Sequence, residues 1–185
     1  HVAPLPAGVI GLRSGPTFAA ADTLRITLHG QGAHGSRPEA SVDPVVMAAA
    51  TVMRLQTIVS REVGGAETAV VTVGTIHAGS AANIIPADAE LVLNVRTLTD
   101  DVRTRVIEAI GRIARAEAAA SGAPREPDVG PLNSFPAVVN DPDAVERTRA
   151  ALQAAAGFVV DPGSITGSED VGMLASAAGA PCVYW

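Results

Sequence analysis

Lysine is absent from this 185-residue chain: all 13 basic residues are arginine, set against 19 acids for a net charge of −6. A surface that grips nucleic acid draws most of its affinity from basic contacts with phosphate, so this balance argues against one. Aromatics are scarce as well. One Trp, one Tyr and three Phe are too few for base-stacking platforms. Cys182 is the single cysteine. It has no partner for an internal disulfide, which fits a reducing, cytoplasmic setting. No apolar run approaches the ~20 residues of a membrane span. Neither end shows the basic start and short apolar block of a signal peptide. Nucleic acid and membrane are therefore not the expected partners. Disorder is excluded too, because 48% of the residues are apolar and 17% charged.

What is present reads as alternating strands and helices. Residues 24–29 alternate apolar with polar side chains, the pattern of a half-buried strand. Residues 30–38 carry three glycines and form a loop. Asp43-Pro44 starts a helix, since Asp accepts free amide hydrogens and Pro suits the first turn. Val45, Val46, Ala49, Val52, Met53 and Ile58 are the expected apolar face of that helix, which runs to about Arg61. Residues 68–77 are rich in β-branched side chains and read as a strand. Residues 89–98 alternate again, with Leu91, Leu93 and Val95 on one face. Thr99-Asp100-Asp101 opens a second helix, whose stripe is Val102, Val106, Ile107, Ile110 and Ile113 and whose stop is Gly122. One more strand is expected near residues 128–132.

This order, βαββαβ, is that of an α+β ferredoxin-like sandwich with two helices on one antiparallel sheet. It accounts for residues 22–133. Residues 134–185 follow a different grammar. A helix starts at Asp141-Pro142, a short helix opens after Gly167-Ser168-Glu169-Asp170, and residues 180–185 read as a buried strand. Helix followed by buried strand is α/β organisation. With residues 1–21, this tail reads as flanking pieces of an incomplete α/β domain. The chain opens at His1 without Met and stops inside an apolar run, so both ends read as cut from a longer protein.

Four histidines are present: His1, His29, His34 and His77. None pairs with another at a metal-binding spacing. His29 and His77 end strands and are expected to be structural. His34 lies between glycines beside Ser36 and Arg37. It is either a solvated loop residue or an imidazole that donates to a developing oxyanion. Asn83, before Ile84-Ile85-Pro86, is either a turn residue or a ligand-binding amide. Arg96 falls on the strand face opposite Leu93 and Val95. It is either solvated or ready to hold a carboxylate with two parallel hydrogen bonds. Glu169 and Asp170 read as acids favouring a helix start.

Four motifs occur in order: Gly30-x-Gly32-Ala33-His34-Gly35-Ser36-Arg37-Pro38, Val42-Asp43-Pro44, Ala82-Asn83-Ile84-Ile85-Pro86 and Asn94-Val95-Arg96-Thr97-Leu98. Together they resemble the metal-dependent aminoacylase and carboxypeptidase family, in the branch that holds hippurate hydrolase and plant indole-acetyl-amino-acid hydrolases. Gly167-Ser168-Glu169-Asp170 resembles that branch's G-x-E-D-F stretch, with Val171 in place of the aromatic. The resemblance implies an amidohydrolase whose catalytic domain binds two zinc or manganese ions and whose ferredoxin-like lid forms a homodimer. It implies that His34 reaches the partner's active site and stabilises the oxyanion. It also implies that Asn83 and Arg96 bind an N-acyl amino acid or small peptide, Arg96 through the carboxylate, and that His1 is a metal ligand. The domains implied are 1–21 (end of a catalytic part and approach to the lid), 22–133 (lid) and 134–185 (return to the catalytic domain). The remaining metal ligands are not in this sequence, so the chain alone is not expected to catalyse. The competing reading is a small-molecule-binding regulatory module of the same fold, for which the two flanks have no use.

Overall fold

The computed structural model describes residues 4–185; the proposed metal ligand His1 lies outside them. The chain divides into two compact units. One comprises residues 22–96 and 100–134. The other comprises the chain up to residue 21, residues 97–99 and residues 135–185.

The first unit is built on β1 (Ala20–His29), α1 (Pro44–Thr57), β2 (Ala69–Ala78), β3 (Asp88–Thr97), α2 (Asp100–Ala120) and β4 (Asp128–Phe135). The sheet order is β2-β3-β1-β4. The expected βαββαβ sandwich is thus the fold observed, with both helices on one sheet face. Alternation decides which face. Leu24, Ile26 and Leu28 of β1 and Leu91, Leu93 and Val95 of β3 are buried in one cluster with Met47, Leu55 and Ile58 below α1 and Val106, Ile110 and Ile113 of α2. Each such side chain contributes about 1.5–3 kcal/mol on burial. The other sheet face carries Arg25 and Glu90, paired at 3.1 Å, and further along β3 Asn94 and Arg96.

The helix boundaries follow local chemistry. Asp43 accepts from the backbone N–H of Val45 at 2.8 Å and of Val46 at 3.4 Å, and Pro44 occupies the first turn. The helix passes into a π-helical turn over Ile58–Glu62. Its buried side matches the expected one only in part: Ile58 is buried and Val52 packs against the core, but the rest of that face is exposed. Met47, Ala48, Thr51 and Leu55 point inward, whereas Val46 is 63% and Met53 71% exposed. α1 is apolar on two sides, and periodicity alone does not rank them. α2 is buried along its expected stripe, at Val102, Val106, Ile110 and Ile113. It ends at Gly122, whose φ of +68° only glycine adopts readily.

Asp22, Arg103 and Ser134 come from three distant parts of the chain. Arg103 donates from Nε and Nη2 to the two Asp22 carboxylate oxygens, each at 2.7 Å, and from Nη2 to Ser134 Oγ at 2.6 Å. Burial alone would push the Asp22 carboxyl up. Hydrogen bonds with Arg103 and Ser134, and the Arg103 charge, hold it below the usual carboxylate range instead.

In the second unit, Val9–Gly11 pairs in parallel with Phe158–Val160, and α3 (Pro142–Ala156) lies between them in sequence and packs on both. Gly15–Phe18 pairs antiparallel with Val138–Asn140. A short helix, α4 (Val171–Ala178), begins after Asp170. Residues 180–185, expected as a buried strand, form no strand, and Trp185 is 58% exposed. Their backbone is held by the Asp141 N–H, which donates to the Cys182 carbonyl at 2.8 Å, and by a side chain. Asn140, fully buried, accepts from Tyr184 N–H at 2.8 Å and donates to the Tyr184 carbonyl at 2.9 Å and the Arg13 carbonyl at 2.8 Å. An amide that mimics a peptide group thus stands beside a single backbone bond where a ladder was expected.

Candidate functional site

The loop after β1 folds back on the segment before β3. Gly30 N–H bonds the Ala87 carbonyl, and Gln31 and Val42 exchange two backbone bonds. At Gly30 a Cβ would lie 2.2 Å from the Val42 carbonyl oxygen, so only glycine fits. Ala33–His34 then pairs antiparallel with Ile84–Ile85, His34 opposite Ile84. Gly35 N–H donates to the Asn83 carbonyl at 2.8 Å. Two residues that the sequence places 49 positions apart, His34 and Asn83, are thereby brought together on backbone contacts, both exposed.

The imidazole of His34 is oriented by Ser36. The Ser36 N–H donates to His34 Nδ1 at 3.1 Å, and Ser36 Oγ lies 2.7 Å from the same nitrogen. A backbone N–H can only donate, so Nδ1 is the acceptor and the neutral ring carries its proton on Nε2. An exposed Nε2–H at the tip of a short loop can serve as a hydrogen-bond donor to an oxygen that gains charge.

Arg96 lies on β3, half-buried, on the sheet face without helices. Its Nε donates to Asn94 Oδ1 at 2.6 Å. Among the described residues no hydrogen bond joins Arg96 to His34 or Asn83. The sequence suggested roles for Arg96 and His34 but none for Asn94 or Ser36. The signal was a spacing of two, which on a strand puts residues 94 and 96 on one face.

The other histidines divide. His29 is nearly buried, and its Nε2 lies 2.8 Å from Asp128 Oδ2, while Arg125 donates to Nδ1 at 3.0 Å. Both ring nitrogens are thus occupied, a structural arrangement. His77 is exposed near the end of β2. Glu169 lies before α4 rather than in its first turn, and Asp170 is at the N-cap without a side-chain capping bond. No group of three or more His, Cys, Asp or Glu side chains that could hold a metal occurs among the described residues. The described donor set therefore does not fit a metal centre. No described helix is long and apolar enough to cross a membrane.

Residues 20–121 match the peptidase dimerisation domain of the M20 group, and the chain belongs to that family. It is 34% identical over 175 residues to N-acetyldiaminopimelate deacetylase of Exiguobacterium sibiricum, a match covering 94% of this chain and 46% of that protein. It is 37% identical over 137 residues to N-acetylcysteine deacetylase of Bacillus subtilis, covering 74% of this chain and 36% of the relative. Among solved structures, the Bacillus subtilis YXEP protein, described as a dinuclear metal-binding peptidase of the M20 family, superimposes with a TM-score of 0.77 at 27% identity. That match covers 97% of this chain and 44% of YXEP. The chain thus spans less than half the length of these relatives, which are hydrolases.

Proposed function

We propose that this chain is the dimerising lid, with flanking segments, of a cytoplasmic metal-dependent amidohydrolase that cleaves N-acyl amino acids or small peptides. The observation that carries the reading is the His34 Nε2–H, set by Ser36 and held beside Asn83 by a backbone ladder. When the substrate amide is attacked, its carbonyl oxygen gains negative charge, and the His34 donor stabilises that charge. Asn83 contributes an amide to substrate binding, and Arg96 holds the free carboxylate. The assignments of residues 1–21 and 134–185 to a catalytic domain, and of 22–133 to the lid, belong to this reading. So do two zinc or manganese ions in the complete enzyme, with His1 as one ligand. A free-standing regulatory module of the same sandwich leaves the second unit without a purpose.

The exposed apolar row of α1, Val45, Val46, Ala49 and Met53, and the free edge of β2 supply the surface for a second copy. In that homodimer His34 serves the partner's site. The test is steady-state hydrolysis of an N-acyl amino acid by the complete enzyme. His34→Ala should lower kcat on the order of a hundred- to a thousandfold with little change in KM. Mixing His34→Ala subunits with subunits lacking a metal ligand should restore part of the activity, since some heterodimers hold one intact site. A near-normal kcat in His34→Ala would sink the reading.

A further inference from the structure

The bond between Asn94 and Arg96 has a chemical peculiarity. A guanidinium is held most strongly by a carboxylate, which orients it and neutralises it together. Arg103 is held in that way by Asp22. Arg96 is held by an amide. Only Oδ1 of Asn94 can accept from the guanidinium, and it takes the Nε hydrogen at 2.6 Å. Two consequences follow. The guanidinium is fixed in rotation about its stem, because the side chains at positions 94 and 96 lie on the same strand face. And its charge is not cancelled, because an amide carries none.

With Nε engaged, the hydrogens left for a ligand are those of Nη1 and Nη2. These are the end-on pair, which meets the two oxygens of one carboxylate in parallel. We infer that Asn94 is a positioning residue: it orients Arg96 for end-on recognition of the substrate carboxylate while leaving the full positive charge available to it. The inference rests on the proposed role of Arg96 and adds to it a second residue and a ligand geometry. It also makes aspartate the informative exchange. A carboxylate at this position would make the same bond, but it would compete with the substrate for the cation and repel the substrate's own carboxylate.

The experiment uses the complete enzyme and two substrates, an N-acyl amino acid and its C-terminal carboxamide. The readout is the KM of each, with kcat and the thermal midpoint measured alongside. Arg96→Ala reports on the underlying reading, and should abolish the preference for the acid over the amide. Asn94→Ala should raise KM for the acid about tenfold, with kcat, the amide's KM and the midpoint nearly unchanged. Asn94→Asp, which keeps an acceptor, should also weaken the acid and leave the amide alone. If Arg96→Ala abolishes the preference but both Asn94 variants retain it, the positioning role is overturned and the Arg96 reading stands. If the Asn94 variants lose equally on acid and amide, with a lowered midpoint, Asn94 is structural and the proposal is likewise overturned. If Arg96→Ala itself keeps the preference, the carboxylate reading falls and takes this one with it.

Discussion

Arg103 and Arg96 belong to the same unit and differ in what accepts from them. Arg103 meets both oxygens of a carboxylate whose residue is 2% exposed, and a serine hydroxyl besides. Its charge is answered and most of its donors are used. Arg96 gives one hydrogen to a neutral amide, on the sheet face opposite α1 and α2. A cation already paired with a buried carboxylate fastens a fold, because a competing anion would have to displace that pair. An oriented but unneutralised cation is a binding group. The contrast separates an arginine whose charge is answered within the fold from one whose charge is left open, which is what the role proposed for Arg96 requires.

The contrast is most sharply tested through stability. Asp22→Ala removes the carboxylate and strands the Arg103 guanidinium. It should cost about 3 kcal/mol, read from the urea midpoint, the range expected when one partner of a buried pair is lost. A loss below about 1 kcal/mol would make Arg103 an ordinary surface arginine. The lysine exchanges come next. Arg103→Lys cannot reproduce the two-pronged bond and should cost about 1–2 kcal/mol, while Arg96→Lys should leave the midpoint within about 0.5 kcal/mol. Equal costs at the two sites would erase the distinction.

The smallest expected effect is in acid. Asp22 is held below its ordinary range in the folded state, so between that lowered value and the unfolded one, about 3.9, the unfolded chain binds more protons. The stabilisation is complete above the unfolded value and is lost as pH falls through the folded one. Asp22→Asn should flatten that acid limb of the stability curve. Asn94→Ala should not alter it, because an amide does not titrate. An unchanged limb in Asp22→Asn would mean that other carboxylates govern acid unfolding.

Some of this was legible in the residues and some was not, for identifiable reasons. Alternation in β1 and β3 and the single stripe of α2 point to one buried face each, so the βαββαβ order could be read directly. α1 is only partly legible, because Val45, Val46 and Met53 form a row as apolar as the one that is buried. A helix with two apolar sides has one to spare for another surface. Asp22, Arg103 and Ser134 carry no pattern at all, since their meeting depends on strand order and not on spacing. The 94/96 spacing was visible, but a shared strand face does not say which atom bonds which. Residues 180–185 look like a strand by composition. Whether they pair depends on neighbours, and here the buried amide of Asn140 meets their backbone instead.

The two-residue ladder between Ala33–His34 and Ile84–Ile85 bears on how such a protein can diverge. Its bonds are backbone bonds, so they are indifferent to which side chains stand at 83, 84 and 85. Substitutions at those positions can reshape the local surface while the imidazole keeps its place. An inserted residue is another matter. Strand geometry has a period of two, so a slip of one position would turn His34 to the opposite face. The expectation for descendants of this sequence is exchange of letters at 84 and 85 and fixed length within the segment.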